Sequence, residues 1–277
     1  MEAPLPEKLR GWLAREGYPF ELQMGRVLRE AGWQVFHGRH YADQETGKLR
    51  EMDLHAAWGP YVGDQDDLGM VGLGLVCECK VSEDKPWVVF TSGESDSVDR
   101  LAGHLAPGQL PARALAHAAV TNRGRLRAFN PAARIGHGIT KAFTDSKAGD
   151  PTGPFSAVMA AVAAATALSR DFCSMILKHG QRDESWIEIY VPVVILKGLL
   201  FEFYLDEAGH ETLQECDRCH ILAHCPDSGD RVLVQIVAAH AMPTFAAAAL
   251  EDSKIVAKSV KPEARAMWAS YRDLGMS

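Results

Sequence analysis

One short segment, Val71 to Lys80, restricts the fold of this chain more than any other. Its first seven residues are apolar or glycine, a pattern that predicts a buried strand. The strand ends in Glu78-Cys79-Lys80, and because side chains alternate along a strand, both charges lie on the face opposite Cys77 and Cys79. A buried charge must be paired or bound to a cation. The segment therefore indicates a functional site at the end of a central strand.

A second acid lies on the preceding segment, Leu49 to Trp58, where polar and apolar residues alternate as in a half-buried strand. Asp53 belongs to its polar face with Glu51 and His55, and the apolar face carries Met52, Leu54, Ala56 and Trp58. If the two strands pair in antiparallel fashion, Asp53 and Glu78 project from the same side of the sheet. Two carboxylates can hold a divalent cation, and a lysine beside them can contact an attacked phosphate. The pattern is typical of metal-dependent phosphodiester cleavage.

Further elements are predicted before and after these two strands. Apolar residues recur at helical spacing from Phe20 to Ala31, a segment that carries Glu21, and Trp33 to His37 indicates a short strand. A turn over residues 44–47 would join that strand to the next one as a hairpin. Residues 85–150 are rich in glycine, proline and polar side chains, which predicts an insertion with short helices.

The second half of the chain begins with its strongest helix candidate, Phe155 to His179. Trp186 to Leu196 and Leu199 to Leu205 are apolar, β-branched and aromatic, and Lys197-Gly198 between them predicts a two-residue hairpin turn. A strand, a connection that contains a helix, and a second strand also fit a parallel crossover onto the same sheet. Both arrangements add strands to the sheet that carries Glu78.

The predicted fold class is α/β, with a mixed central sheet flanked by helices. We expect one domain whose core covers about 17–84 and 151–205, with an insertion at about 85–150 and a C-terminal elaboration at about 206–277. Within the elaboration, His220 to Ala223 and Arg231 to Ala239 predict another hairpin, and Phe245 to Val256 predicts a helix.

Composition excludes several functional classes. The net charge of −7 over 277 residues provides no overall basic field, so binding of nucleic acid needs a local patch or a metal ion. The N-terminus lacks the apolar stretch of a secretory signal. The low-charge run from Pro151 to Ser169 is short for a membrane span and predicts a buried helix or a dimer surface. Six cysteines in a chain of this length indicate no disulfide framework, so we expect a reducing cytoplasm and no membrane partner.

The site residues and the blocks around them resemble the PD-(D/E)xK nuclease superfamily, which has the restriction-endonuclease-like fold. The resemblance rests on Gly17-Tyr18-Pro19-Phe20-Glu21, the block from Tyr41 to Asp53, Glu78-Cys79-Lys80 and Lys85-Pro86-Trp87. A group of bacterial proteins carries similar blocks, and the resemblance covers residues 17–90 and, more loosely, the chain to about residue 205. Met52 replaces the proline of the superfamily name. No glutamine follows Lys80 as in many relatives, so that role is missing or filled otherwise.

The resemblance implies a role for each site residue. Asp53, Glu78 and the backbone carbonyl of Cys79 would bind Mg²⁺ or Mn²⁺, and Glu21 would help to position a metal or its water. Hard oxygen ligands suit these ions. Lys80 would activate the attacking water and stabilise the developing negative charge. Glu51 and His55 would support Asp53 from the surrounding shell, or else are exposed polar residues at a sheet edge.

These roles imply a divalent-metal-dependent nuclease that acts on DNA, with in-line attack of water on phosphorus and a 5′-phosphate product. Antiviral defence against foreign DNA follows from the superfamily alone, and DNA repair is a close alternative. The rival hypothesis is a catalytically inactive nucleic-acid- or protein-binding module on the same fold, against which the intact set of two acids and a lysine argues. A homodimer or a regulatory partner is compatible with either hypothesis.

The only basic stretch of this acidic chain lies between residues 121 and 147. It contains six lysines and arginines against a single acid, Asp145. Such a stretch can contact phosphates, and a solvated loop is the alternative. The candidates for phosphate contact are Arg123, Arg125, Arg127, Arg134 and Lys141.

A cysteine pair near the C-terminus raises the question of zinc. Cys216 and Cys219 have the spacing of one half of a tetrahedral zinc site. His224 and Cys225 follow within a few residues, which is tight for the second half. We therefore expect core thiols and a partly exposed histidine. A structural zinc ion, which would make the chain a zinc-stabilised regulatory protein, is the less favoured interpretation.

Overall fold

The computed structural model describes residues 4–15, 17–43, 47–59, 70–92, 125–129, 134–144, 153–179, 186–224 and 231–273. Within these ranges the chain forms one mixed sheet of eight strands, together with four α-helices and one short 3-10 helix. The predicted α/β class is confirmed at this level. In chain order the elements are α1 (Leu5–Arg15), α2 (Tyr18–Glu30), β1 (Gln34–Ala42), β2 (Leu49–Trp58), β3 (Met70–Ser92), β4 (Ile135–Lys141), α3 (Pro154–His179), β5 (Trp186–Leu205), β6 (Glu211–Glu215), β7 (Arg218–His224), β8 (Arg231–Ala238), the 3-10 helix (Ala239–Ala241) and α4 (Met242–Asp273).

The strands β1, β2 and β3 form an antiparallel meander. At the end of the β1–β2 ladder the amide of Asp43 donates to the carbonyl of Lys48 at 2.9 Å. Gly47 has a φ of 65°, a left-handed conformation that glycine adopts without a steric cost. The predicted hairpin is therefore confirmed by its strands, although residues 44–46 lie outside the described ranges.

After β3 the chain passes through β4 and α3 to β5, and β3 and β5 are parallel neighbours. Their register runs from Met70 opposite Trp186 to Phe90 opposite Phe203. Parallel neighbours require a long connection, which the chain with α3 supplies. The parallel crossover, one of the two arrangements that the sequence left open, is therefore the observed one.

The order of the strands is β1-β2-β3-β4-β7-β8-β5-β6, and the additional β3–β5 pairing closes a ring through β3, β4, β7, β8 and β5. A single pair, Gly136 opposite Ile221, joins β4 to β7. β4 and β7 approach closely there, because a Cβ added to Gly136 would lie 2.8 Å from the carbonyl oxygen of His220 on β7. The antiparallel β7–β8 pairing confirms the second predicted hairpin, whose turn lies outside the described residues.

Helices cover both faces of the sheet. One face of β3 and β5, with Cys77 and Val193, packs against α2 and α4 in a single apolar cluster. The other face, with Val76 and Val194, packs against α3 in two further clusters. The alternation predicted for β3 is therefore confirmed, since Leu73, Leu75, Cys77 and Cys79 share the first cluster.

The first half of α3 is deeply buried, with Ala157, Val158, Ala161 and Val162 almost inaccessible. The low-charge run that it contains is therefore core, as expected. None of the described helices combines the length and the apolar character needed to cross a membrane.

The prediction of a hairpin turn at Lys197-Gly198 is wrong, because β5 runs straight through both residues. Gly198 lies opposite Ser82 in the β3–β5 ladder. A Cβ on Gly198 would lie 2.4 Å from the carbonyl oxygen of Ser82. The glycine therefore permits a close approach of two strands, which a sequence cannot distinguish from a turn when the flanking residues are all strand formers.

The expected insertion also contributes to the sheet. β3 extends to Ser92 across an irregularity between Ser82 and Trp87, and residues 135–141 form β4 beside it. Pro86 has no amide proton for a ladder, so the pairing is interrupted around it and resumes after it. The β-branched and aromatic residues 87–91 were the signal for this extension.

Candidate functional site

The candidate site lies where β2 and β3 part. The ladder between them ends with Leu54 opposite Cys77. Beyond that pair, Oδ2 of Asp53 accepts a hydrogen bond from the amide of Cys79 at 2.7 Å. The carboxylate of Asp53 thus bonds the β3 backbone just past the last pair of the β2–β3 ladder, which ties the acid to the middle of β3.

At the same point, successive apolar side chains of β2 change from one face of the sheet to the other. Leu54 packs with α2 in the first apolar cluster, whereas Met52 packs with Val76 and Tyr190 on the opposite face. The expectation that Met52 shares a face with Leu54, Ala56 and Trp58 is therefore wrong. Ideal alternation assumes a regular strand, and β2 separates from β3 at Asp53.

Glu78 and Lys80 form an ion pair on one side of β3. Nζ of Lys80 lies 2.6 Å from Oε1 of Glu78, and their side chains are 29% and 14% exposed, for Lys80 and Glu78 respectively. Residues two apart on a strand project from the same face. The amine is therefore held beside the acid, as the strand pattern predicted.

Glu21 reaches the site from the first turn of α2. This helix lies close to the sheet, because a Cβ on Gly25 would meet Cε1 of His37 on β1 at 2.5 Å. Burial raises the pKa of Glu21 to about 7, and the charges of Asp53, Glu51 and Glu78 add to the rise. Glu21 is thus within electrostatic range of the other predicted site residues.

The charges of the site are unbalanced. Burial raises the pKa of Asp53 above its ordinary value, although the amide of Cys79 and the charge of Lys80 oppose the rise. Burial and the charge of Asp53 raise the pKa of Glu78. Burial lowers the pKa of Lys80, but Glu78 and Asp53 outweigh it and the net pKa is raised. One lysine therefore faces three carboxyl groups, and a bound cation would relieve their repulsion.

The donor set fits a hard divalent cation in chemistry and in number. No group of three or more His, Cys, Asp and Glu side chains that could hold a metal ion is found among the described residues. Mg²⁺, however, is commonly bound by one or two carboxylates, with water and substrate phosphate as the other ligands. Asp53 and Glu78, whose charges interact, supply such a pair.

The backbone of Cys79 faces the same edge as Asp53. A residue in an antiparallel ladder directs its amide and its carbonyl toward the same neighbour. Since the amide of Cys79 points at Asp53, its carbonyl also faces the gap that opens beyond Leu54. This position is compatible with the expected oxygen ligand.

The two supporting candidates, Glu51 and His55, have different surroundings. Glu51 is exposed, and its charge raises the pKa of both Glu21 and Asp53. His55 is buried away from the acids, where Nδ1 lies 2.8 Å from NH1 of Arg39 and the ring stacks on Phe36. Burial, and then the charge of Arg39, lower the pKa of His55 to about 3.

Tyr41 is a neighbour of the site to which the sequence assigned no role. Its side chain is buried beside Met52, and burial raises its pKa to about 12, with the charges of Glu78 and Asp53 among the further causes. Tyr41 belongs to the block from Tyr41 to Asp53 that carries the family resemblance, and this was the only signal for it.

The basic residues predicted to contact phosphates have different surroundings in the structure. Arg125 and Arg127 are exposed, and Lys141 is partly buried at the end of β4. Arg134 is ion-paired with Glu202 at 2.8 Å, and its guanidinium lies 3.6 Å from the centre of the Tyr204 ring. Its charge is thus already engaged within the protein. Arg123 lies outside the described residues.

The cysteine motif is divided between the core and the surface. Cys219 is fully buried in an apolar cluster, against which Cys216 packs. His224 is exposed at the other end of β7, five residues from Cys219 and so about 17 Å along the strand. Cys225 lies outside the described residues. The structure therefore brings Cys216 and Cys219 together and separates His224 from them.

The chain matches no protein-family model, no curated protein and no solved structure. The likeness to PD-(D/E)xK nucleases therefore rests on the sequence blocks alone and stays a prediction.

Proposed function

We propose that this chain is a divalent-metal-dependent nuclease that hydrolyses phosphodiester bonds of DNA. The observation that carries the proposal is the meeting of Asp53 with the Glu78-Cys79-Lys80 strand at the edge where β2 and β3 part. Two acids and a lysine whose charges interact form a site with surplus negative charge in the middle of β3, where its ladder with β2 ends. Such surplus negative charge would bind a divalent cation, and the cation would in turn bind a substrate phosphate.

Asp53 and Glu78 would hold Mg²⁺ or Mn²⁺ together with the carbonyl of Cys79. When bound, the ion supplies Lewis-acid stabilisation of the charge that develops on the phosphoryl oxygens. The amide of Cys79 fixes the orientation of the Asp53 carboxylate before any ligand arrives. A preorganised ligand loses less conformational entropy on binding than a mobile one does.

Lys80 would act on the reacting phosphate and on the attacking water. Its raised pKa keeps the amine protonated at neutral pH, so it stabilises negative charge and does not abstract a proton. Glu21 has a pKa of about 7 and can hold or release a proton near neutral pH. It is therefore the group of this site suited to orient water and to take up its proton.

We further propose that the site belongs to a restriction-endonuclease-like core. The helix α2, the β1–β2–β3 meander, the crossover helix α3 and the parallel strand β5 support this proposal, since together they carry all four acidic and basic site residues and bury the strands between them. The cytoplasm is the proposed location, and defence and repair are the two settings in which DNA cleavage would be used.

Incubation of the protein with plasmid DNA and oligonucleotides in Mg²⁺ or Mn²⁺ tests the proposal. We expect metal-dependent cleavage that Asp53→Ala abolishes and Asp84→Ala preserves, because Asp84 is an exposed aspartate farther along the same strand as Glu78. Cleavage that persists undiminished in Asp53→Ala would reject the site. Absence of cleavage by the wild type, with DNA binding retained and no affinity for Mn²⁺, would favour the catalytically inactive module.

A further inference from the structure

A small pocket lies on the α3 face of the sheet, beside the candidate site but separate from it. Its volume is about 30 Å³, and it is formed where β2, β3 and β5 run side by side. A single water needs roughly 10–15 Å³, so the pocket admits one edge of a larger ligand. The side chains and glycines that matter to its chemistry are His55, Gly72, Gly74, Glu188 and Tyr190.

His55 lines this pocket and carries a buried hydrogen-bond donor that has no partner in the part of the chain that the structure describes. Its Nδ1 lies 2.8 Å from NH1 of Arg39, and a guanidinium can only donate, so Nδ1 is the acceptor. The proton of the neutral ring is then on Nε2. His55 is only 5% exposed, and its Nε2 has no hydrogen-bond partner among the described residues. A buried donor without a partner is costly, which indicates that a ligand completes it.

Glycine keeps the space beside this donor open. A Cβ on Gly74 would lie 2.7 Å from Nε2 of His55 and 3.0 Å from Cδ1 of Tyr190. A Cβ on Gly72 would lie 3.3 Å from Cγ of Glu188. Any other residue at position 74 would therefore fill the region that the donor faces.

The charge of the pocket selects against a phosphate. Glu188 lines it, and its carboxylate accepts a hydrogen bond from the hydroxyl of Tyr190. This acid repels anions, while Arg39 behind His55 disfavours a cation. The pocket thus offers one donor and one acceptor beside the aromatic ring of Tyr190, an arrangement suited to a flat, uncharged group.

We propose that the pocket receives the hydrogen-bonding edge of an unpaired nucleobase, with His55 donating to a carbonyl or ring nitrogen and Glu188 accepting from a base N–H. The substrate class rests on the proposed function, and the position supports it. His55 is two residues from Asp53, or about 7 Å along β2, which is within reach of a nucleotide whose phosphate lies at the acids. Because pairing occupies these edges in a duplex, the pocket favours single strands or frayed ends.

Binding of free nucleosides tests the pocket without any cleavage. Titration of the metal-free wild type with thymidine should shift the ¹⁵N and ¹H signals of the His55 Nε2–H. N3-methylthymidine has the same ring but a blocked edge, and should leave them unchanged. The absence of a shift with saturating thymidine would overturn the proposal.

Oligonucleotide binding in Ca²⁺, which replaces Mg²⁺ to prevent cleavage, provides the second measurement. We expect Gly74→Ala to weaken single-strand binding at least about fivefold, the low end of one base contact, and to leave duplex binding unchanged. Gly138→Ala is the matched control, because its added Cβ meets Phe90 at an ordinary 3.6 Å. If Gly74→Ala fails to fold, His55→Phe removes the donor while retaining the ring that stacks on Phe36.

The outcomes separate the two proposals. A thymidine shift at His55 in a protein that never cleaves DNA would reject the nuclease and retain the pocket. Cleavage that depends on Asp53, with equal single-strand binding by the wild type, Gly74→Ala and His55→Phe, would reject the pocket and retain the nuclease.

Discussion

The carboxylate of Asp53 accepts a hydrogen bond of 2.7 Å from the backbone amide of Cys79, just past the last pair of the β2–β3 ladder. A side chain thus replaces a backbone partner at the point where the strands separate. The bond favours the ionised form of Asp53, while burial favours the neutral form, and the net pKa is raised. The site therefore keeps an acid in place at a free-energy cost that cation binding would recover.

Replacement of Asp53 by asparagine tests this metal site. The Asn Oδ1 can still accept the amide of Cys79, so the fold should be retained while one charged ligand is lost. We expect Mn²⁺ binding, measured by calorimetry, to disappear in Asp53→Asn and to persist in Asp84→Asn. In the wild type the affinity should rise with pH, because the raised pKa values of Asp53 and Glu78 mean that protons compete with the metal. Equal Mn²⁺ binding by Asp53→Asn would contradict the assignment.

The ion pair between Lys80 and Glu78 predicts a coupled loss of activity and change in pKa. Lys80→Met keeps the length of the side chain and removes its charge, so cleavage should fall roughly 10²- to 10³-fold. Because Lys80 lowers the pKa of Glu78, that pKa should rise further in the variant, as NMR titration of the carboxyl carbon would report. Lys197→Met is the control, since Lys197 pairs with Glu83 on the surface. An unchanged titration of Glu78 would show that the pair does not form.

Glu21 makes stability depend on pH. Its folded pKa of about 7 lies above its ordinary value of 4.5, so the protonated carboxyl stabilises the fold fully below about pH 4.5, and this stabilisation is lost as the pH rises through 7. Glu21→Gln removes the charge permanently. In metal-free buffer we expect the variant to exceed the wild type in Tm at pH 8 and to match it more closely at pH 5. Glu30→Gln, an exposed change on the same helix, should show no such trend. A Tm difference independent of pH would contradict the shifted pKa of Glu21.

Much of the site could be predicted because it lies on regular elements. The alternation along β3 placed Glu78 and Lys80 on one face and Cys77 and Cys79 on the other, and helical spacing placed Glu21 on α2. These periodicities depend only on local backbone geometry. The prediction of the face on which Met52 lies was wrong, because that face depends on where two strands separate. The point of separation is a property of the pair of strands and not of either strand alone.

Two features were not predicted from the sequence, and tertiary packing decided one of them. The pocket at His55 requires Gly74 of β3 and Glu188 of β5. These two strands become neighbours only after the parallel crossover forms. The α1 helix was not anticipated either, because Pro4, Pro6 and a mixture of charges conceal its short apolar repeat. The pocket therefore depends on contacts between distant segments, whereas Leu5, Leu9 and Trp12 of α1 are exposed and only the local pattern of that helix was missed.

Asp252 of α4 anchors the segment that carries Arg125 and Arg127. Its carboxylate accepts hydrogen bonds of 2.7 to 3.0 Å from the backbone amides of Arg127, Ala128 and Phe129, and Asp252 is 1% exposed. Asp252→Asn places an amide group against these donors and should lower the free energy of unfolding by about 2–4 kcal/mol, measured in urea. Asp217→Asn, at an exposed aspartate paired with His240, should cost far less. Similar losses in both variants would rule out the anchoring role.

Gly198 provides the test of the long, continuous β5. In the observed fold it lies opposite Ser82, and its missing side chain allows the parallel strands to pair. A Cβ there would lie 2.4 Å from a backbone oxygen, and backbone cannot move aside as a flexible side chain can. We therefore expect Gly198→Ala to destabilise the protein by about 1–3 kcal/mol, as overpacking does, while Gly138→Ala on β4 changes stability little. Urea unfolding monitored by Trp fluorescence gives both values. Since the Ser82–Gly198 contact lies just beyond Lys80 on β3, loss of cleavage in a folded Gly198→Ala protein would further show that β5 supports the part of β3 that carries the site.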